Sequence, residues 1–380
     1  MDPGVPFEDD FDSTIVRPHE APSEPLQQDA VGHYLVAVEG DAPGRRVEVG
    51  GEPITIGRSA GQALAFTGDS ELSRQHARLS RVGRELVVED LRSTNGTFVN
   101  AQRIAEPTTL REGDVLRVGH QRFTYERRSR REVEQARALE RDLLKASHYV
   151  KSMLPAPSHE NAVRTDWCFM PSAQLGGDAF GYDWLAPGTF AFYVMDVSGH
   201  GVGAAMHSVS VMNVLRQRAL PNVDFANPSE VLSSLNDRFQ MDSHDGMYFT
   251  IWYGVYRTSD RTLSYSAAGH HPAFLVPSDR TTALPLGEPA LMIGAMSDQD
   301  YPRCQATVPP GSVLYLFSDG VFEIVAQDER QWSLADFLPL MLAAPEPDLT
   351  EPERLYRLVR AAARPGLLDD DFSLLALAFE

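Results

Sequence analysis

Apolar runs that end or begin on acidic residues restrict what this chain can fold into more than any other feature. Phe190-Ala191-Phe192-Tyr193-Val194-Met195 reads as a buried strand and runs into Asp196-Val197-Ser198-Gly199-His200-Gly201. Val313 to Phe317 runs into Ser318-Asp319-Gly320, and Asp369-Asp370-Asp371 opens the run from Phe372 to Leu377. In an antiparallel sheet the end of one strand lies beside the start of its neighbour, so these acids can share one edge. Gly176-Gly177-Asp178 adds a further carboxylate upstream. One Asp-Gly step alone is ordinarily a solvated turn. Repeated at strand ends, the carboxylates would repel one another unless a cation joined them. With no thiolate cluster or metal-spaced histidine pair beside them, they suit Mg²⁺ or Mn²⁺ rather than zinc.

The 380 residues give room for two domains and a connector, at about 100–200 residues per domain. A formal net charge of −19 opposes nucleic acid or an anionic membrane as partner, because phosphate binding needs a basic surface. No apolar run is long enough to span a membrane, and the first residues lack the basic start and apolar stretch of a signal peptide. The two cysteines, Cys168 and Cys304, form no disulfide framework or metal motif. These features predict a cytoplasmic protein in a reducing compartment. Residues 1–30, rich in proline and acids, hold too little apolar area to offset the entropy of ordering and are expected to be a disordered tail.

From His33 onward the pattern changes to short alternating strands between glycine turns. They are predicted at 34–38, 46–49, 54–56, 77–79, 86–89, 97–99, 115–118 and 123–125, the mark of an all-β sandwich. Within this stretch Gly57-Arg58, Ser73-Arg74-Gln75-His76, Thr94-Asn95-Gly96-Thr97 and Arg111-Glu112-Gly113-Asp114 resemble the forkhead-associated (FHA) domain, whose members bind phosphothreonine peptides. An arginine fork with short hydroxyl and amide donors on loops suits that ligand. The resemblance implies that Arg58, Ser73 and Arg74 hold the phosphate and that Thr94 and Asn95 hold the peptide backbone. His76 is expected to be a buried support for the loop. The predicted organisation is a tail over 1–30, the FHA domain over 31–126, a helical linker over 127–154 and a second domain over 155–380.

In the linker Ala136, Leu139, Leu143, Ala146, Val150 and Met153 recur at steps of three and four, a heptad seam that Pro155 ends. The seam can pair with a second copy in a homodimer or pack on the domain that follows. Beyond it, helices are predicted over 202–218 and from Pro228, the latter with Asn227 as cap and Glu230 as capping acid. Strands follow at 248–256, 263–266 and 273–276.

Gly176-Gly177-Asp178, the Asp196–Gly201 motif, Ala268-Gly269-His270-His271-Pro272, Ser318-Asp319-Gly320-Val321 and Asp370-Asp371-Phe372-Ser373 stand in the order of the SpoIIE-type bacterial serine/threonine phosphatases. That family is the bacterial branch of the metal-dependent type 2C (PPM) fold. The resemblance covers residues 150–380 and implies an α+β domain built as an α-β-β-α sandwich. It also implies two Mn²⁺ or Mg²⁺ ions. Asp196 would bridge them, the Val197 carbonyl would bind one, Asp319 and Asp370 the other, and Asp178 would lie close by, giving direct hydrolysis without a phosphoenzyme. The implied substrate is a phosphoserine or phosphothreonine on an anti-sigma-factor antagonist, in a partner-switching pathway. Many members carry a second acid where Gly181 stands here, and Asp183 is the nearest replacement. His200 and His270 are read as turn residues rather than general acids.

Two other functions compete. A phosphothreonine-reading scaffold with an inactive phosphatase domain would keep the first site and lose the second. A diguanylate cyclase, suggested by Gly176-Gly177-Asp178-Ala179-Phe180, would want glutamate at Ala179 and has no use for the later acid motifs. Thr14, set between acids and β-branched residues in the tail, is a candidate phosphosite that could occupy the FHA domain of its own chain.

Overall fold

The computed structural model describes residues 31–40, 43–159 and 162–380; the tail, with Thr14, lies outside the described residues. The chain divides into two compact units, one up to Leu139 and one from Glu140 to Glu380.

The first unit is a β-sandwich. Its strands are β1 (Val31–Glu39), β2 (Arg46–Val49), β3 (Ile54–Gly57), β4 (Leu64–Ala65), β5 (Ala77–Val82) and β6 (Glu85–Asp90). They continue with β7 (Thr97–Val99), β8 (Gln102–Arg103), β9 (Thr108–Leu110), β10 (Val115–Val118) and β11 (Gln121–Ser129). One sheet runs β2-β1-β11-β10-β7-β8 and the other β4-β3-β5-β6-β9. Alternation places Leu35, Ile56, Leu79, Leu86, Val88, Leu116 and Tyr125 between the two sheets, so one apolar core fixes both registers. The strands β4, β8 and β9 have too few residues to show alternation in sequence.

Helix α1 (Arg130–Met153) enters the second unit. There the seam meets its own domain, with Leu143, Ala146 and Val150 packed against Leu175, Ala205 and Val209. Leu139 stays 62% exposed, so the seam is not continuously buried.

The second unit contains β12 (Val163–Met170), β13 (Ala179–Ala186), β14 (Thr189–Val197), α2 (Val202–Arg216), α3 (Pro228–Arg238), β15 (Phe249–Arg257), β16 (Thr262–Ala268) and β17 (Ala273–Val276). After these come β18 (Leu284–Leu286), β19 (Cys304–Thr307), β20 (Val313–Phe317), α4 (Leu334–Leu342), α5 (Glu351–Ala362) and β21 (Phe372–Phe379). Two antiparallel sheets, β12-β21-β20-β17-β18 and β13-β14-β15-β16-β19, face each other. The helices α2 and α3 cover the second sheet, while α4 and α5 cover the first, which is an α-β-β-α sandwich. β14 and β20 are buried on both faces and therefore read as unbroken apolar runs.

The start of α3 differs from expectation in one detail. Asn227 makes no side-chain bond to the helix amides. Its Nδ2 donates to Glu230 Oε1 at 2.7 Å, while Glu230 Oε2 accepts from the Asp224 amide at 3.1 Å. The glutamate thus ties down the incoming loop as well as the cap.

Candidate functional sites

Each acid of the strand-end set is delivered by a different fixed element. β14 pairs with β13 and β15, carries Asp196 opposite Thr250, and emerges from the core at that residue. The turn beyond is fastened by Ser198, whose amide donates to the Tyr248 carbonyl at 2.9 Å and whose Oγ accepts from the Tyr248 amide at 3.1 Å. β20 brings Asp319 from the other sheet. Ser318 Oγ donates to the Asp371 carbonyl at 3.0 Å and accepts from the Ser373 amide at 3.2 Å. A methyl group at Gly320 would stand 2.2 Å from the Asp371 carbonyl oxygen, so only glycine lets this turn lie against the start of β21.

Asp370 and Asp371, adjacent in sequence, have different work. Asp370 is exposed and its Oδ1 accepts from the Asp371 amide at 2.7 Å. Asp371 is buried; its Oδ1 accepts from the Ser172 amide at 2.8 Å and Ser172 Oγ at 3.0 Å, and its Oδ2 accepts from the Gly177 amide at 2.8 Å. It clamps the loop that presents Asp178. A methyl at Gly177 would stand 2.7 Å from the Val197 carbonyl, which brings that carbonyl to the same loop. Asp178 itself is buried, and its Oδ2 has no hydrogen-bond partner among the described residues.

The result is a set of carboxylates that resist ionising together. Burial pushes Asp178 well above the usual carboxylate range, reinforced by the charges of Asp196 and Asp371. The Ser318 and Ser373 hydroxyls pull the other way. Burial, then Asp319 and Asp370, push Asp196 up to about 7. Asp319, half-buried, and Asp370, which keeps one face in water, are both raised, by partial desolvation first, and Asp371 adds to both. Glu323 is raised too, by burial and then by Asp319 and Asp370, so it borders the same site. Among the described residues no three acids, histidines or cysteines already form a coordination cluster. The donor set nevertheless fits a hard cation: oxygen ligands only, mutual repulsion, and a buried carboxylate oxygen without a partner.

Sequence reasoning missed Asp371 and Glu323. The Asp-Asp pair does not show by itself which member turns inward, and Glu323 follows the Ser-Asp-Gly turn by too few residues to suggest a separate role. Asp183 does not replace the absent second acid. It lies exposed on β13 and pairs with Arg218 at 2.8 Å. His200 is exposed, and its charge favours the ionised form of Asp370. His270 is half-buried with Nδ1 2.9 Å from the His271 carbonyl, and desolvation holds its pKa well below the ordinary value.

In the first unit the loops after β3, before β5 and after β6 surround a cavity of about 700 Å³ lined by Arg58, Ser73, Arg74, Thr94 and Asn95. Ser73 Oγ accepts from the Thr94 amide at 3.0 Å, and Asn95 Nδ2 donates to the Glu71 carbonyl at 2.9 Å. His76 is fully buried; Nδ1 accepts from the Ser73 amide at 3.2 Å and Nε2 donates to the Gly96 carbonyl at 3.1 Å. Asp90 braces the far loop, accepting from Thr97 Oγ1 at 2.7 Å and from the Ser93 amide at 3.0 Å. Arg58 and Arg74 stay exposed at the rim.

Comparison with known families decides the assignment: residues 186–380 match the family described as Stage II sporulation protein E (SpoIIE). The chain belongs to the SpoIIE family. Asp196, Asp319 and Asp370 fall inside the matched stretch of this SpoIIE member, and Asp178 precedes it. Residues 54–119 match the FHA domain and include Arg58, Ser73, Arg74, Thr94 and Asn95. The phosphoserine phosphatase RsbU of Bacillus subtilis is 28% identical over 154 residues, 40% of this chain and 45% of RsbU. The FHA domain-containing protein FhaB of Mycolicibacterium smegmatis is 39% identical over 93 residues, 24% of this chain and 59% of FhaB. The chain thus spans about half the length of these curated relatives. The SiaA-PP2C domain of Pseudomonas aeruginosa shares the fold, with a TM-score of 0.56 at 18% identity over 65% of this chain and 99% of that domain.

Proposed function

We propose that the chain is a metal-dependent protein serine/threonine phosphatase whose FHA domain reads phosphothreonine. The observation that carries the reading is the gathering of Asp178, Asp196, Asp319 and Asp370 around a buried, unpartnered carboxylate oxygen. In this reading Asp196 and the Val197 carbonyl would hold one ion, Asp319 and Asp370 the other, with Asp178 beside them. Bound Mg²⁺ or Mn²⁺ would supply Lewis acidity toward the phosphoryl oxygens and raise the acidity of water at the site. The protein's own contribution is positional. Asp371 holds the Ser172–Asp178 loop, Ser318 ties β20 to β21, and Ser198 ties the Asp196 turn to β15.

The proposed substrate is a phosphoserine or phosphothreonine protein, an anti-sigma-factor antagonist by resemblance, with Arg58, Ser73 and Arg74 taking phosphothreonine at the other site. Pairing of two copies through the exposed part of the α1 seam belongs to the same proposal. Hydrolysis of a phosphoserine peptide with Mn²⁺ tests the reading. Asp196→Asn should lower turnover by about a hundredfold or more while the circular dichroism spectrum is retained. Wild-type turnover undiminished in excess chelator would overturn the metal mechanism. Phosphopeptide binding without any turnover would leave the scaffold reading in its place.

A further inference from the structure

A cavity of about 610 Å³ opens between α2 and the sheet face that carries Gly181, Ala191 and Tyr193. This is within the range of small-molecule sites, about 300–1,000 Å³. None of the strand-end acids lines it. The space exists because the positions facing the helix are small. Gly181 pairs with Tyr193 across β13 and β14, and a methyl there would stand 2.6 Å from the Tyr193 hydroxyl oxygen. Ala191 is equally spare, and Met212, Leu215 and Leu154 form apolar walls.

Two polar groups interrupt those walls without partners of their own. Tyr193 is only 7% exposed, yet its hydroxyl makes no hydrogen bond among the described residues. Its neighbour Tyr253, stacked on it at 6.5 Å, differs: that hydroxyl donates to the Phe225 carbonyl at 3.0 Å. Burial pushes the Tyr193 phenol far up, so it remains a donor throughout the physiological range. Arg216, in the last turn of α2, lines the same cavity, and its charge reaches the Tyr193 phenol. It has no hydrogen-bond or ion-pair partner among the described residues. A donor inside, a cation at the rim and apolar walls between them describe a receptor for an anion with a short apolar body.

We propose that this cavity binds a small apolar carboxylate, with the Tyr193 hydroxyl and the Arg216 guanidinium taking the carboxylate and Met212 and Leu215 covering its chain. The inference is independent of the phosphatase reading. Calorimetric titration of the full metal-free chain with octanoate, and with 1-octanol as the uncharged control, tests it. Octanoate should bind saturably at one site. Arg216→Gln should weaken octanoate about fivefold or more and leave octanol within about twofold. Tyr193→Phe should weaken octanoate about threefold or more, and Ala191→Leu, which fills the cavity, should abolish binding of both probes. Arg216 is exposed, so its variant remains informative if Ala191→Leu fails to fold. Absence of saturable octanoate binding up to about 1 mM overturns the proposal. So does unchanged octanoate affinity in both Arg216→Gln and Tyr193→Phe.

Discussion

Around Ser73 the loops are held by hydrogen bonds completed within the first unit, whereas around Asp178 a carboxylate oxygen is buried without a partner and its neighbours carry the same charge. The FHA loops are therefore shaped before any ligand arrives, with the cationic groups of Arg58 and Arg74 left in water. The acid site is shaped by the strands but electrostatically incomplete. One region spends its polar groups on its own scaffold; the other keeps them for something that has to come from outside.

The largest expected effect follows from that contrast. Mn²⁺ at about a hundred times its dissociation constant should stabilise the second unit by about 2.7 kcal/mol, a rise of about 5–10 °C in its midpoint. Amide exchange in β1 and β11 should not change. Asp178→Asn should cancel the gain and raise the metal-free stability, because it removes a buried, repelled charge. Hydrogen exchange on the intact chain reads both regions at once, and equal protection by Mn²⁺ in the two units would break the comparison.

Next is His76→Ala. It leaves the Ser73 amide and the Gly96 carbonyl without their buried partner and should cost the first unit about 2–4 kcal/mol, measured by denaturant unfolding followed through FHA-region amides. Arg58→Ala, at an exposed rim, should leave stability within about 0.5 kcal/mol. It should weaken a phosphothreonine peptide about tenfold or more, and equal titration curves would remove Arg58 from the site.

The smallest effect is a difference in pH response. Burial, helped by Arg81 and Arg127, lowers the His33 pKa. Its contribution is therefore complete above the free value of about 6.5 and is lost as pH falls below it. Asp196 has the opposite sign. It is raised to about 7, so its contribution to the metal-free fold is complete below the free value of about 3.9 and is lost as pH rises through 7. Between pH 7 and 5, His33→Gln should flatten the loss in the first unit. In the second, wild type should gain stability relative to Asp196→Asn on acidification, a subtraction that removes the shared effect of His270 and His271. Parallel curves for wild type and Asp196→Asn would contradict the assigned burial of that carboxylate.

The apolar runs and the acids at their ends were readable because a central strand buried on both faces leaves an unbroken signal, as in β14 and β20. The FHA strands were readable through alternation. What escaped was of two kinds. The helices α4 and α5 lie between sequence motifs, and α5 buries Arg354 beside Glu351 at 2.8 Å, so its inward face carries charges that mimic a surface. The division of labour within Asp370-Asp371 was hidden because it depends on contacts with Ser172 and Gly177, far away in the chain. The fate of the α1 seam was similarly undecided, since an apolar stripe looks the same whether it faces another copy or Leu175 and Val209 of its own domain.

Asp371 also sets a timetable. Gly177 and its clamp are 194 residues apart in the chain, and β21, which begins next to that clamp, is the strand that joins β12 to β20. During synthesis at about 5–20 residues per second, Asp178 leaves the ribosome roughly 10–40 s before Asp371 can reach it. The FHA sandwich, whose last strand ends at Ser129, has left the ribosome before that interval begins. A nascent chain thus completes its first unit well before its acid site exists, and ribosome stalling anywhere between residues 200 and 370 would leave the FHA cavity formed with no acid site behind it.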